Sequence, residues 1–179
     1  RDADTNTGSI NPGYVSTTFQ YCANATTTGC VSITAFPAGT GINTVVTTSN
    51  WTSYTATWTP ATDLGTCIYD ANAVINVIVN DNEAANNTAN TTTAAFILDT
   101  TAPSGSSVVV DASSTPAYLT ISASDTSTIQ MKVSLNSDVS GASWVTYTTT
   151  STISLATDPD TVYAQFKDAY GNTSAIVNA

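Results

Sequence analysis

Leu119-Thr120-Ile121-Ser122-Ala123, followed after a five-residue turn by Ile129-Gln130-Met131-Lys132-Val133-Ser134-Leu135, decides how this chain folds. Apolar side chains recur at every second position in both segments, the repeat of a strand that buries one face and wets the other. Working outward, Ile153 and Leu155 predict a short strand, and Val162, Ala164 and Phe166, separated by Tyr163 and Gln165, predict another. Trp144 is expected to cap the core that these strands share. The first half shows the same alternation at Val15, Thr17, Phe19 and Tyr21, at Val31, Ile33 and Ala35, at Tyr54, Ala56 and Trp58, at Ile75, Val77 and Val79, and at Phe96 and Leu98. No stretch carries a sustained 3.6-residue period, and clusters of Gly, Asn, Asp and Pro separate the short strands. The chain therefore reads as all-β, with sandwich domains expected and a single barrel as the alternative. Its 179 residues suit two domains of about 90.

The boundary lies where Ala95-Phe96-Ile97-Leu98 runs into Asp99-Thr100-Thr101-Ala102-Pro103-Ser104-Gly105. Proline cannot donate to a ladder, so a new strand is expected beyond it, near Val108-Val109-Val110. Asp99-Thr100-Thr101-Ala102-Pro103 resembles the junction of tandem immunoglobulin-like repeats in bacterial and archaeal surface proteins. Val162-Tyr163-Ala164-Gln165-Phe166-Lys167-Asp168-Ala169-Tyr170-Gly171-Asn172-Thr173-Ser174 resembles their penultimate strand and following turn. Gln130-Met131-Lys132 with Trp144 downstream is similar to their middle strands. The resemblance implies two tandem immunoglobulin-like β-sandwich domains, residues 1–98 and 99–179. The first departs from the pattern, with a cysteine loop and a last hairpin stretched over Asn82-Glu83-Ala84-Ala85-Asn86-Asn87-Thr88.

Three Lys and Arg residues stand against thirteen Asp and Glu, with no His and a net charge of −10. Arg1, Lys132 and Lys167 cannot build the basic face that phosphate backbones require, so nucleic acid is excluded as a partner. Anionic membrane surfaces are disfavoured for the same reason, and no run of 18 apolar residues spans a bilayer. Thr, Ser and Asn supply the solvation that charges normally provide, which suits an extracellular, cell-surface location. The chain starts at Arg1 without Met, implying that an upstream segment is removed or lies outside it. Five Asn-X-Ser/Thr motifs, at Asn24, Asn50, Asn86, Asn90 and Asn172, are candidate glycosylation sites.

Cys22, Cys30 and Cys67 fit no zinc spacing. A disulfide between Cys22 and Cys30 would close a short loop and contribute about 2–3 kcal/mol; Cys67 can pair with Cys22 instead, and three cysteines permit three single bridges that sequence alone does not rank. Without histidine the usual general base is missing, and Glu83 is the only glutamate, so enzymatic activity is not expected. Calcium is the one cofactor that the composition suggests, because hard cations take oxygen ligands. In a sandwich, Asp99 at the junction should lie near the loops carrying Asp125 and Asp168. The competing reading makes Asp168 and Asn172 partners in a turn with Gly171, and Asp125 the start of an Asx-turn. Tyr14, Trp51, Tyr69, Tyr118, Tyr147 and Tyr163 are candidates for stacking on surface glycans. The expected function is structural: a segment of a filament, stalk or surface layer whose partners are copies of itself or neighbouring repeats. An adhesin, or a glycan-binding or spacer module of a larger secreted protein, is the alternative.

Overall fold

The computed structural model describes residues 14–36, 44–46, 55–80, 88–156 and 161–179. The molecule is all-β and divides into two compact units, Arg1–Asp99 and Thr100–Ala179. Among the described residues, no helix is long and apolar enough to cross a membrane.

The first unit is organised around one long strand. β1 (Tyr14–Cys22) is followed by a 3-10 turn at Ala23–Ala25, then β2 (Val31–Ser32), β3 (Thr44–Val46), helix α1 (Pro60–Leu64), β4 (Tyr69–Asn80), β5 (Thr88–Thr92) and β6 (Phe96–Asp99). β4 pairs antiparallel with β1 over its C-terminal half, from Cys22↔Val74 to Ser16↔Asn80. β5 lies along its other edge, from Asn76↔Thr92 to Asn80↔Thr88, while its N-terminal end pairs with β6 through Tyr69↔Asp99 and Asp70↔Leu98. Tyr21, Ile33, Ala73 and Leu98 form the buried centre, with Phe19, Phe36, Trp58, Leu64, Ile68 and Ile75 packed around it.

Two expectations for this unit need correction. The alternation at Val31, Ile33 and Ala35 gives only a two-residue strand: Ile33 N still donates to Phe19 O at 2.9 Å, but residues 34–36 leave the ladder. The backbone N–H groups of Thr34 and Ala35 donate to the Asp63 carboxylate instead, each at 3.1 Å. Residues 55–59 form no strand either and lead into α1. Pro60 at the first turn explains this, since its fixed φ suits a helix start and holds the preceding residue extended. Tyr54 and the stretched hairpin at 82–87 lie outside the described residues.

The second unit holds two antiparallel sheets. One consists of β7 (Ser104–Asp111), β8 (Ala117–Ser124) and β11 (Thr150–Ile153), in the order β11-β8-β7. The other consists of β9 (Gln130–Ser134), β10 (Val145–Thr146), β12 (Tyr163–Lys167) and β13 (Val177–Asn178), in the order β10-β9-β12-β13. One core joins them: Val108, Leu119 and Ile121 from the first sheet meet Met131, Ala164 and Phe166 from the second, with Val162 at the entrance to β12. The intervening Tyr118, Thr120 and Ser122 are exposed, as a period of two requires. Two sheets sharing a core is an arrangement compatible with a β-sandwich. Tyr147, not Trp144, completes this core. Its ring packs edge-on to Phe166 with centroids 6.0 Å apart, while its hydroxyl donates to Ile121 O and accepts from Ala123 N. Trp144 sits beneath the two lysines.

Candidate functional site

Asp99 ends β6, Asp125 follows β8, and Asp168 follows β12. Asp99 belongs to the first unit, and Asp125 and Asp168 to the second. Asp99 is 8% exposed and Asp168 2%, and Asp125 is half-buried.

The turn roles expected for these residues are present as well. Asp125 Oδ1 accepts from Ser127 N at 2.8 Å and from Ser127 Oγ at 2.9 Å, which forms an Asx-turn. Asp168 Oδ1 accepts from Tyr170 N and Asn172 N, both at 2.8 Å, and its Oδ2 accepts from Asn172 Nδ2 at 2.6 Å. Gly171 takes φ +95° in this turn, a conformation that side chains with a Cβ rarely adopt. The two readings are not exclusive. A carboxylate has about four lone-pair sites, so one can hold a turn and still ligate a cation.

Cys22 and Cys30 form a disulfide with Cα atoms 4.4 Å apart, and Cys67 is free and exposed. The pairs Gln20↔Ser32 and Tyr21↔Val31 place the two cysteines opposite one another at the next step of the β1–β2 ladder. Below this loop lies Asp70, 6% exposed, whose Oδ2 accepts from Tyr21 Oη at 2.8 Å and from Asn24 N at 3.1 Å. Its Oδ1 accepts from Asn72 N at 2.9 Å. Burial raises the Asp70 carboxyl, but these hydrogen bonds outweigh it and the net shift is downward. Burial first, and then the bond to Asp70 and its charge, push the Tyr21 hydroxyl up to about 12.

Among the glycosylation motifs, Asn24 is exposed on the disulfide loop and Asn90 is exposed on β5. Asn172 commits its amide to Asp168. Asn50 and Asn86 lie outside the described residues. Of the aromatic candidates, Tyr69 and Tyr118 are exposed, Tyr163 is half-buried, Tyr147 belongs to the core rim, and Trp51 and the Tyr14 side chain lie outside the described residues. Sequence reading missed the stacking of Lys132 and Lys167 on Trp144. Outward alternation of the two lysines was a signal for it, but their meeting depends on cross-strand register, which periodicity does not supply. No protein-family model and no curated protein sequence matches the chain.

Proposed function

We propose that the chain is a structural segment of an extracellular cell-surface assembly, a filament, stalk or surface layer built from immunoglobulin-like sandwich modules that associate with copies of themselves or with neighbouring repeats. The observation that carries this reading is the succession of two compact β units with only Thr100-Thr101-Ala102-Pro103 between β6 and β7. Close spacing of rigid modules gives reach and stiffness rather than chemistry. A disulfide-closed hairpin and exposed surfaces dominated by Thr, Ser and Asn favour an oxidising, extracellular setting. β7 ends its sheet and pairs only with β8 among the described strands, and such an edge accepts a strand from another chain by backbone hydrogen bonding. Contacts of that kind do not close on themselves, so they extend into fibres. The role is non-catalytic.

Electron microscopy of the native material, with light scattering of the purified chain at high concentration, tests the proposal. Ordered filaments or sheets support it, whereas a chain that stays monomeric at every concentration overturns self-association. In the same reading, Asp99, Asp125 and Asp168 are the ligands of a calcium ion. Calcium should then raise the melting temperature relative to chelator. An unchanged melt removes the ion and leaves the three residues as turn formers.

A further inference from the structure

Lys132 and Lys167 are, with Arg1, the only cationic side chains of a chain with net charge −10. Both ammonium groups lie over the ring of Trp144, 4.8 and 4.6 Å from its centroid. The register Lys132↔Gln165 and Lys167↔Gln130 sets them on the face of the β9–β12 pair opposite the one that buries Met131, Ala164 and Phe166. Two like charges on one ring repel, and the ring quadrupole offsets only part of that cost. The second unit thus gathers its positive charge on one small area, where an anion would be attracted by both lysines.

Beside Lys167 this face opens into a depression of about 640 Å³, lined by Thr128, Gln130, Thr146, Lys167, Tyr170 and their neighbours. That lies within the roughly 300–1,000 Å³ of small-ligand sites. Its walls are held in place before anything binds. Ala169 N donates to Ser127 Oγ at 3.2 Å, and Ser127 Oγ donates to Asp125, which ties the turn before β9 to the turn after β12. The Asp168 carboxylate fixes the backbone under Tyr170. The groups offered are the Lys167 ammonium, a primary amide on Gln130, hydroxyls on Thr128 and Thr146, and the side chain of Tyr170, a residue 45% exposed; Asp168 also lines the depression, but it is 2% exposed and its oxygens accept from Tyr170 N, Asn172 N and Asn172 Nδ2. An ammonium pairs with a carboxylate, the amide and hydroxyls match ring hydroxyls, and an exposed aromatic face stacks on the C–H face of a sugar.

We propose that this depression is a binding site for an anionic saccharide, a carboxylated sugar whose acid group meets Lys167, with Lys132 adding to the local positive field, and whose ring packs against Tyr170. The site stands whether or not the chain polymerises. The test is an amide-detected NMR titration of the whole chain with D-glucuronate, D-glucose and acetate in parallel. Glucuronate should give saturable shifts at the Gln130 side-chain amide, the Trp144 indole N–H and the Tyr170 amide, with glucose and acetate at least about tenfold weaker. Lys167→Gln should weaken glucuronate binding by about tenfold or more at an unchanged melting temperature. Tyr170→Ala, on an exposed side chain, gives an independent reading should Lys167→Gln fold poorly, and it should weaken glucuronate while leaving acetate unaffected. Absence of saturable shifts with glucuronate overturns the proposal. Equal affinity for acetate reduces the site to a patch for small anions, and equal affinity for glucose removes the role of the lysines; either result also overturns it.

Discussion

Tyr21 and Asp63 show how few polar side chains hold the first unit, and each ties its contribution to a different pH range. The Tyr21 hydroxyl, raised to about 12, stays protonated in the folded chain while the unfolded chain ionises near 10. Its contribution is fully present below pH 10 and is lost as pH rises through 12. Tyr21→Phe removes the bond to Asp70 and should cost about 1.5–3 kcal/mol near neutral pH. It should also flatten the alkaline decline; urea unfolding at pH 8 and pH 11 checks both effects. Asp63 works in the opposite direction. Burial raises its carboxyl, but hydrogen bonds from Thr34 Oγ1, Ala35 N, Trp58 Nε1 and Thr34 N outweigh this and bring it to about 2. Stability from Asp63 is present above the usual value of 3.8 and disappears as pH falls through 2. Asp63→Asn keeps one oxygen for the three N–H donors and turns its N–H₂ toward the Thr34 hydroxyl but removes the charge that strengthens these bonds, so a loss of about 1–3 kcal/mol is expected, with a shallower acid limb in the same assay.

Among the elements, strands with one buried face could be read directly from the sequence. Met131 on β9 and Ala164 and Phe166 on β12 point inward because apolar residues alternate there with Lys132, Gln165 and Lys167. Alternation fails around Trp58 and Ile33, where a carboxylate five residues beyond the tryptophan captures backbone N–H groups that a ladder would otherwise use. Long-range polar competition of that kind leaves no periodic trace. The turns at Asp125 and Asp168 were legible from their turn-forming residues, but the lysine and tryptophan stack was not, since it depends on register. The Cys22–Cys30 bond closes the β1–β2 connection and restricts the unfolded chain. Reduction or Cys30→Ser should destabilise the first unit by about 2–3 kcal/mol. Thermal unfolding with and without reductant measures this, and the second unit's hydrogen-exchange protection should not change.

For the whole molecule, thirteen acidic side chains against three basic ones make copies repel at low ionic strength. Any self-association should therefore strengthen from about 10 to 150 mM salt as the Debye length falls from about 30 to 8 Å, which sedimentation or light scattering detects. The placement of Lys132 and Lys167 has a further consequence. Trypsin cuts after lysine and arginine and needs an extended, detached segment. Both lysines lie in paired strands of the second unit, and Arg1 is the only other target. Tryptic cleavage of this stretch after Lys132 or Lys167 is thus a reporter of opening in the second unit. With protease dilute enough that reclosing is faster than cutting, the digestion rate gives the free energy of that opening, and unfolding of the first unit passes undetected.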